Sequence, residues 1–81
     1  MTDEERLRLA RVLEKVRVIH SKTITLESSY NSLINIISTN CEIDEKTPYE
    51  DDLKTMQEEN TRTKSSLSGD VIPTLVNRIN S

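Results

Sequence analysis

The chain has 81 residues and a net charge of −3, and 31% of its residues are charged. It contains one cysteine, one glycine, no Trp and no Phe. A single cysteine excludes an intramolecular disulfide, and the scarcity of turn glycines and aromatic residues disfavours β-sandwiches and barrels. A chain this short forms at most one domain with a modest core, so a protein partner is the expected source of further stability.

The N-terminal stretch "MTDEERLRLA" marks the start of a helix. Thr2 followed by Glu5 matches a capping box, and the acids between them favour a helix N-terminus. Acids also stand where the basic region of a secretion signal would be, and no apolar run approaches the ~20 residues of a membrane span. These features predict a cytoplasmic, reducing location with no membrane partner, and they leave secretion without a cleaved signal open.

The segment "KVRVIHSKTITL", residues 15–26, is rich in β-branched residues and taken alone would fit a strand or a hairpin. Alternating steps of three and four from Leu9 nevertheless give nine positions of which eight are apolar, with Thr23 as the exception. These positions are Leu9, Val12, Val16, Ile19, Thr23, Leu26, Tyr30, Leu33 and Ile37. The periodicity passes through the segment without a slip, and no Gly or Pro interrupts residues 2–40. We therefore predict one continuous helix over about residues 3–39.

A second helix is predicted after a connection at residues 40–47. Thr47 suits an N-cap, Pro48 the first helical position and Glu50 the capping-box acid. Helix 2 then covers about residues 48–68. Its heptad positions are Tyr49, Leu53, Met56, Asn60, Thr63 and Leu67, of which the middle ones are polar.

The sequence beyond Leu67 predicts either a break or a kink. Gly69 could end helix 2, or Pro73 could bend a helix that continues. In both cases a short C-terminal helix covers about residues 71–80, with a dense apolar stripe. Residue patterns alone do not decide between one kinked helix and two helices.

The two halves are predicted to fold as an antiparallel αα-hairpin in which the numbers of facing residues add up to about 87. In this register the polar residues among the heptad positions of the two helices coincide, with Thr23 near Thr63 and Lys64 and Glu27 near Asn60. Polar layers of this kind fix the register of paired helices. The predicted fold is thus all-α, a long coiled-coil-like hairpin, with residues 1–81 as a single helical domain.

Helix 1 carries more apolar surface than helix 2 can cover, and such a band on a small rod usually marks an interface. We predict that it packs on other helices, from copies of this chain or from different subunits; the alternative is that residues 71–80 cover it within the chain. The predicted partner interface comprises Val12, Val16, Ile19, Leu26, Tyr30, Leu33, Ile34 and Ile37. Beside it, Arg8, Lys15 and Lys22 recur every seven residues, as a flank for a partner's acids or as a solvated face.

The sequence contains no catalytic, metal-binding or cofactor-binding constellation. The single histidine, His20, fits a half-buried structural role, and the adjacent Asp51 and Asp52 point to different helix faces. General acid–base catalysis needs a sheltered group with a perturbed pKa. We therefore expect no enzyme, no cofactor, no metal and no small-molecule substrate.

The sequence favours a helical protein–protein interaction module, a small coiled-coil-like subunit or adaptor that assembles through helix 1 as a homo- or hetero-oligomer. A small export chaperone or secreted helical hairpin, or a viral inhibitor that binds a host protein, is the alternative. Nucleic-acid binding through the basic half of helix 1 is less favoured, because the net charge is negative and stacking aromatics are absent.

Overall fold

The structure, a computed structural model, describes residues 1–39 and 46–81, and every element in these ranges is helical. The elements are α1 (Asp3–Thr39), α2 (Lys46–Ser66), a π-helical turn (Leu67–Val71) and α3 (Ile72–Asn80). Both α2 and α3 pack along α1, which gives a rod of 61 × 15 × 13 Å. The predicted all-α antiparallel hairpin is confirmed, and the β-branched residues 15–26 are helical throughout.

The start of α1 forms the N-cap part of the predicted capping box. The Thr2 hydroxyl accepts a hydrogen bond from the backbone N–H of Glu5 at 3.1 Å, and the Thr2 carbonyl accepts one from Arg6 at 3.0 Å. Further along, the hydroxyl of Thr25 donates to the carbonyl of Ser21 at 3.2 Å. This bond to the preceding turn satisfies the hydroxyl of a β-branched residue inside the helix.

The start of α2 differs from the prediction. The helix begins at Lys46, two residues before the predicted start at residue 48, and helix ends are the boundaries that sequence encodes least sharply. Most of the predicted connection at residues 40–47 lies outside the described residues, and so do the side chains of the predicted Thr47–Pro48 cap.

The chain continues through Gly69 and Pro73 without a break. The backbone N–H of Ile72 donates to the carbonyl of Leu67, five residues earlier, which is the hydrogen bond of a π-helix. Gly69 has no positive φ, so it does not form the left-handed cap that a break would require. The wider turn precedes a proline whose ring would clash with the carbonyl four residues back in a regular α-helix.

The π turn also decides which residues face α1. It carries one residue more than an α turn, so it rotates the part of the helix that follows. Unbroken seven-residue spacing from Leu53 and Gln57 would bring Thr74 and Arg78 to the contact with α1, yet both are exposed. The side chains that take their place are Ile72, Leu75, Val76 and Ile79, all half-buried. The turn therefore keeps the contact with α1 apolar along α3.

The hairpin has almost no enclosed interior. Among the described residues no hydrophobic side chain is fully buried, and Thr23, at 5% exposure, is the only buried residue. Each helix has a single neighbour on one side, and this arrangement leaves the remaining surface of every contact residue partly open to water.

Replacing Gly69 by Ala should stabilise the protein. The residue has helical backbone angles and an added Cβ would meet no atom within 4 Å, so the change only reduces the freedom of the unfolded chain. We expect the free energy of unfolding to rise by about 0.5–1 kcal/mol, measured by urea denaturation followed by circular dichroism. A loss of stability would mean that Gly69 adopts a conformation that only glycine tolerates.

Candidate interaction surface

The face of α1 that contacts α2 and α3 is rotated from the predicted seam, the nine positions spaced by three and four residues from Leu9. The half-buried or buried residues of α1 are Leu9, Leu13, Val16, His20, Thr23, Glu27, Tyr30, Ile34 and Ile37. This face keeps every second position of the predicted seam and replaces the others by the residue that follows each of them. On α2 the same rotation leaves Tyr49 and Met56 exposed, at 60% and 48%.

The rotation brings two polar residues, His20 and Glu27, into the contact face together with Leu13 and Ile34. The predicted positions form two sets, one that begins at Leu9 and one that begins at Val12, each with seven-residue spacing. These two sets, and the set beginning at Leu13 that replaces the second, lie within an arc of about 100° on the helix. One neighbouring helix covers only part of such an arc. The part nearest α2 is buried, and the other edge stays open.

The open edge is formed by four large apolar side chains that recur every seven residues. Val12, Ile19, Leu26 and Leu33 remain 49%, 50%, 46% and 42% exposed. Successive members are about 10.5 Å apart along the helix axis, so the set extends over about 30 Å. We call these four residues the apolar stripe. Neither α2 nor α3 covers it.

The structure thus divides the predicted interface residues into two groups. Val16, Tyr30, Ile34 and Ile37 are half-buried in the hairpin itself. The remaining four form the apolar stripe. The second group alone is available to a partner without opening the hairpin.

The predicted charged flank lies beside the stripe. Lys15 follows Val12 by three residues and Lys22 follows Ile19 by three, which makes them neighbours on the helix surface. Both lysines are exposed, and neither forms an ion pair with a described residue. Arg8, the third member, pairs with Glu4 at 2.7 Å.

A polar layer crosses the middle of the hairpin. The side-chain amide of Asn60 donates to the backbone carbonyl of Thr23 at 2.9 Å, and the Thr23 hydroxyl donates to the carbonyl of His20 at 2.6 Å. One turn further on, Lys64 forms an ion pair with Glu27, and both side chains are less than a third exposed. Sequence reasoning placed polar residues here and was right to within one helical turn.

Polar contacts also close the edge of the hairpin opposite the stripe. The amide of Gln57 donates to the side-chain oxygen of Asn31, and the hydroxyl of Ser38 donates to Glu50 at 3.3 Å. Sequence reasoning missed both pairs. The signal was available, because the numbers within each pair add up to 88, close to the predicted 87.

The same register holds at the ends of the rod. Arg6 donates to the carbonyl of Ser81 at 3.2 Å, and these two numbers add up to 87. The hairpin therefore keeps one register from the connection to the termini. One long edge is closed by polar contacts and the other is open and apolar.

A lysine with a raised pKa, Lys54, lies away from the stripe. Lys54 contacts Glu50 at 2.9 Å. The hydrogen bond and the negative charge of Glu50, with a smaller contribution from the charge of Asp51, raise the pKa of Lys54 above its ordinary value of 10.5. This pattern belongs to an exposed ion pair within one helix and does not indicate a catalytic group.

The described residues contain no cluster of three or more His, Cys, Asp or Glu side chains that could hold a metal ion. His20 lies half-buried beside the polar layer, and Asp51 and Asp52 are exposed. Within the same ranges, no helix has both the length and the apolar character to cross a membrane. The surface hollows are open depressions, such as the one between Glu59 and Leu67 on α2.

Fold and surface together define a small all-α helical hairpin with one open apolar edge. Comparison with models of known families, with curated proteins and with solved structures found no match. What the protein does must therefore be inferred from its own surface.

The ion pair across the polar layer can be tested by a double-mutant cycle. Glu27→Leu or Lys64→Met alone leaves one partly buried charge without its partner, and each should lower the free energy of unfolding by about 1–2 kcal/mol. The double variant should recover most of that loss, because no lone charge remains. Urea denaturation of the four proteins gives the coupling energy, and strictly additive losses would contradict the pairing.

The pKa of Lys54 provides an independent check of the hairpin's acidic end. Glu50→Gln removes the acceptor charge, so the pKa of Lys54 should fall back toward 10.5, as followed by NMR of the side-chain carbon next to the amine. The folded-state pKa of Lys54 is raised, so the ion pair's small contribution to the free energy of unfolding is complete at neutral pH. It is lost only as the pH rises past the pKa of the free amine. If the pKa of Lys54 does not change, the contact between Lys54 and Glu50 does not form in solution.

Proposed function

We propose that this protein is a helical protein–protein interaction module, a small subunit or adaptor that assembles through α1 with other helices. The observation that carries the proposal is the apolar stripe, four large side chains that stay 42–50% exposed along one edge of the rod. Contiguous exposed apolar surface of this kind is typical of interaction sites. In this proposal the protein has no enzymatic role and is cytoplasmic.

The exposed area of the chain supports an assembled state. Its accessible surface is 6078 Å². A compact monomer of its 9.3 kDa mass would expose about 5,000 Å². The elongated rod thus exposes about 1,000 Å² more than a compact chain, enough to supply the ~800 Å² that each partner buries in a standard protein–protein interface.

The shallow packing of the hairpin also supports an assembled state. Two helices without a fully buried apolar side chain in the described ranges form a marginal fold. Binding to the folded state alone would add stability by mass action. The stripe offers apolar surface that such binding can use while α1 and α2 stay paired.

The test compares two isoleucines of equal exposure. Ile19 in the stripe and Ile24 outside it are both 50% exposed, so Ile19→Glu and Ile24→Glu add the same charge at similarly open positions. Sedimentation is measured for the chain alone and with an amphipathic helical peptide that carries Leu at heptad positions and Gln on its flanks. We expect association, with itself or with the peptide, that Ile19→Glu weakens at least tenfold and Ile24→Glu leaves nearly unchanged.

Two results would contradict this proposal. One is the absence of association in both settings for the unmodified chain. The other is an equal loss from both substitutions, since this would reflect charge or stability and not the stripe. Circular dichroism of each variant shows whether the hairpin remains folded.

A further inference from the structure

We propose that the apolar stripe receives the stripe of a second copy of this chain, running antiparallel, so that two hairpins form a four-helix bundle. This inference rests on the proposed function, because it names the helix that the stripe takes. It has three supports: the symmetry of the stripe, the distribution of charge along the rod and the exposed area.

The stripe is symmetric about its own midpoint. Its four residues are evenly spaced, and the midpoint falls between Ile19 and Leu26, close to the middle of α1 (Asp3–Thr39). A two-fold axis through that point places Val12 of one copy level with Leu33 of the other. It also places Ile19 level with Leu26, so each contact occurs twice, as a two-fold interface requires. Two α1 helices then overlap along nearly their whole length.

Charge is distributed unevenly along the rod. Residues 1–22 hold six basic side chains and four acids, Asp3, Glu4, Glu5 and Glu14, and the opposing residues 65–81 add Asp70 and Arg78. At the other end, residues 50–59 hold five acids and one lysine. Seven basic and five acidic side chains therefore leave the end of the rod that carries the termini slightly positive, and the end near the connection is more strongly negative.

This polarity favours the antiparallel arrangement over the parallel one. In an antiparallel pair the positive end of each hairpin lies over the negative end of the other, and complementary potentials of this kind set orientation. A parallel pair would superpose like ends. Arg8 and Lys15 then lie on the half of the rod that is level with the acids of the second copy.

Lys22 lies next to the two-fold axis, so two Lys22 side chains approach each other there. The side chain is exposed, and water and salt screen the repulsion between exposed charges.

The excess of about 1,000 Å² over a compact monomer also matches the share that one partner contributes to a stable interface. The apolar contact and the opposite ends therefore outweigh the single like-charged pair.

The experiment uses disulfide trapping in a Cys41→Ser background, which removes the native thiol. Val12→Cys and Leu33→Cys are oxidised separately and as a mixture, with the same treatment of Ile24→Cys as the control outside the stripe. In the antiparallel pair, equal positions lie about 30 Å apart, far beyond the ~7 Å that a disulfide can bridge between Cα atoms. We expect a cross-linked dimer in the mixture, little from either variant alone and little from the control.

Light scattering of the untreated protein from 5 to 200 µM should show twice the 9.3 kDa mass of one chain. Cross-links from Val12→Cys alone and Leu33→Cys alone would indicate a parallel pair and overturn the inference. A monomeric mass with no cross-link in the mixture would also overturn it. If that monomer still binds the Gln-flanked peptide through Ile19, the proposed function stands without self-association; if it binds nothing, both proposals fail.

Discussion

Each helix in the described ranges packs on one side only, and that constraint governs the rest of the structure. Two rods in contact bury a narrow strip on each, so no apolar side chain in the described ranges is fully enclosed. The single buried side chain in these ranges is a threonine whose hydroxyl bonds to its own helix. Stability must come from many half-buried contacts and from polar pairs, which is a poor basis for an isolated chain.

The polar layer gives this shallow contact its precision. Half-buried leucines and isoleucines tolerate sliding by a turn, because one apolar side chain substitutes for another. The amide of Asn60 and the ammonium of Lys64 do not tolerate such sliding. The amide must reach the carbonyl of Thr23 and the ammonium must reach Glu27. Buried polar groups in paired helices commonly trade stability for a unique register. Here they leave the register fixed and the opposite edge free for other contacts.

The fold could be read from the sequence largely because α1 carries an uninterrupted signal. Its cap at Thr2 and its end at Thr39 agree with the predicted range, since the apolar periodicity runs without a slip even through the β-branched residues 15–26. The rotation of the contact face could not be read in the same way. Apolar residues such as Leu13 and Ile34 stand beside the predicted positions, so the periodicity fits two neighbouring faces. Polar pairing with α2 accompanies the choice, and such pairs become visible only once the register is known.

The π turn was also beyond sequence reasoning, because a break and a widened turn place the same residues in similar surroundings. Its geometry has a consequence for chain length. Loss of one residue between Leu67 and Ile72 would turn the π turn into an ordinary α turn, and Leu75 and Ile79 would still face α1. Shortening by one residue elsewhere in α2 would instead rotate a whole arm of the hairpin. An ordinary α turn would, however, set the Pro73 ring against the carbonyl four residues before it. Natural length variation should therefore be tolerated at that turn when Pro73 is also replaced, and rejected along the rest of the arm.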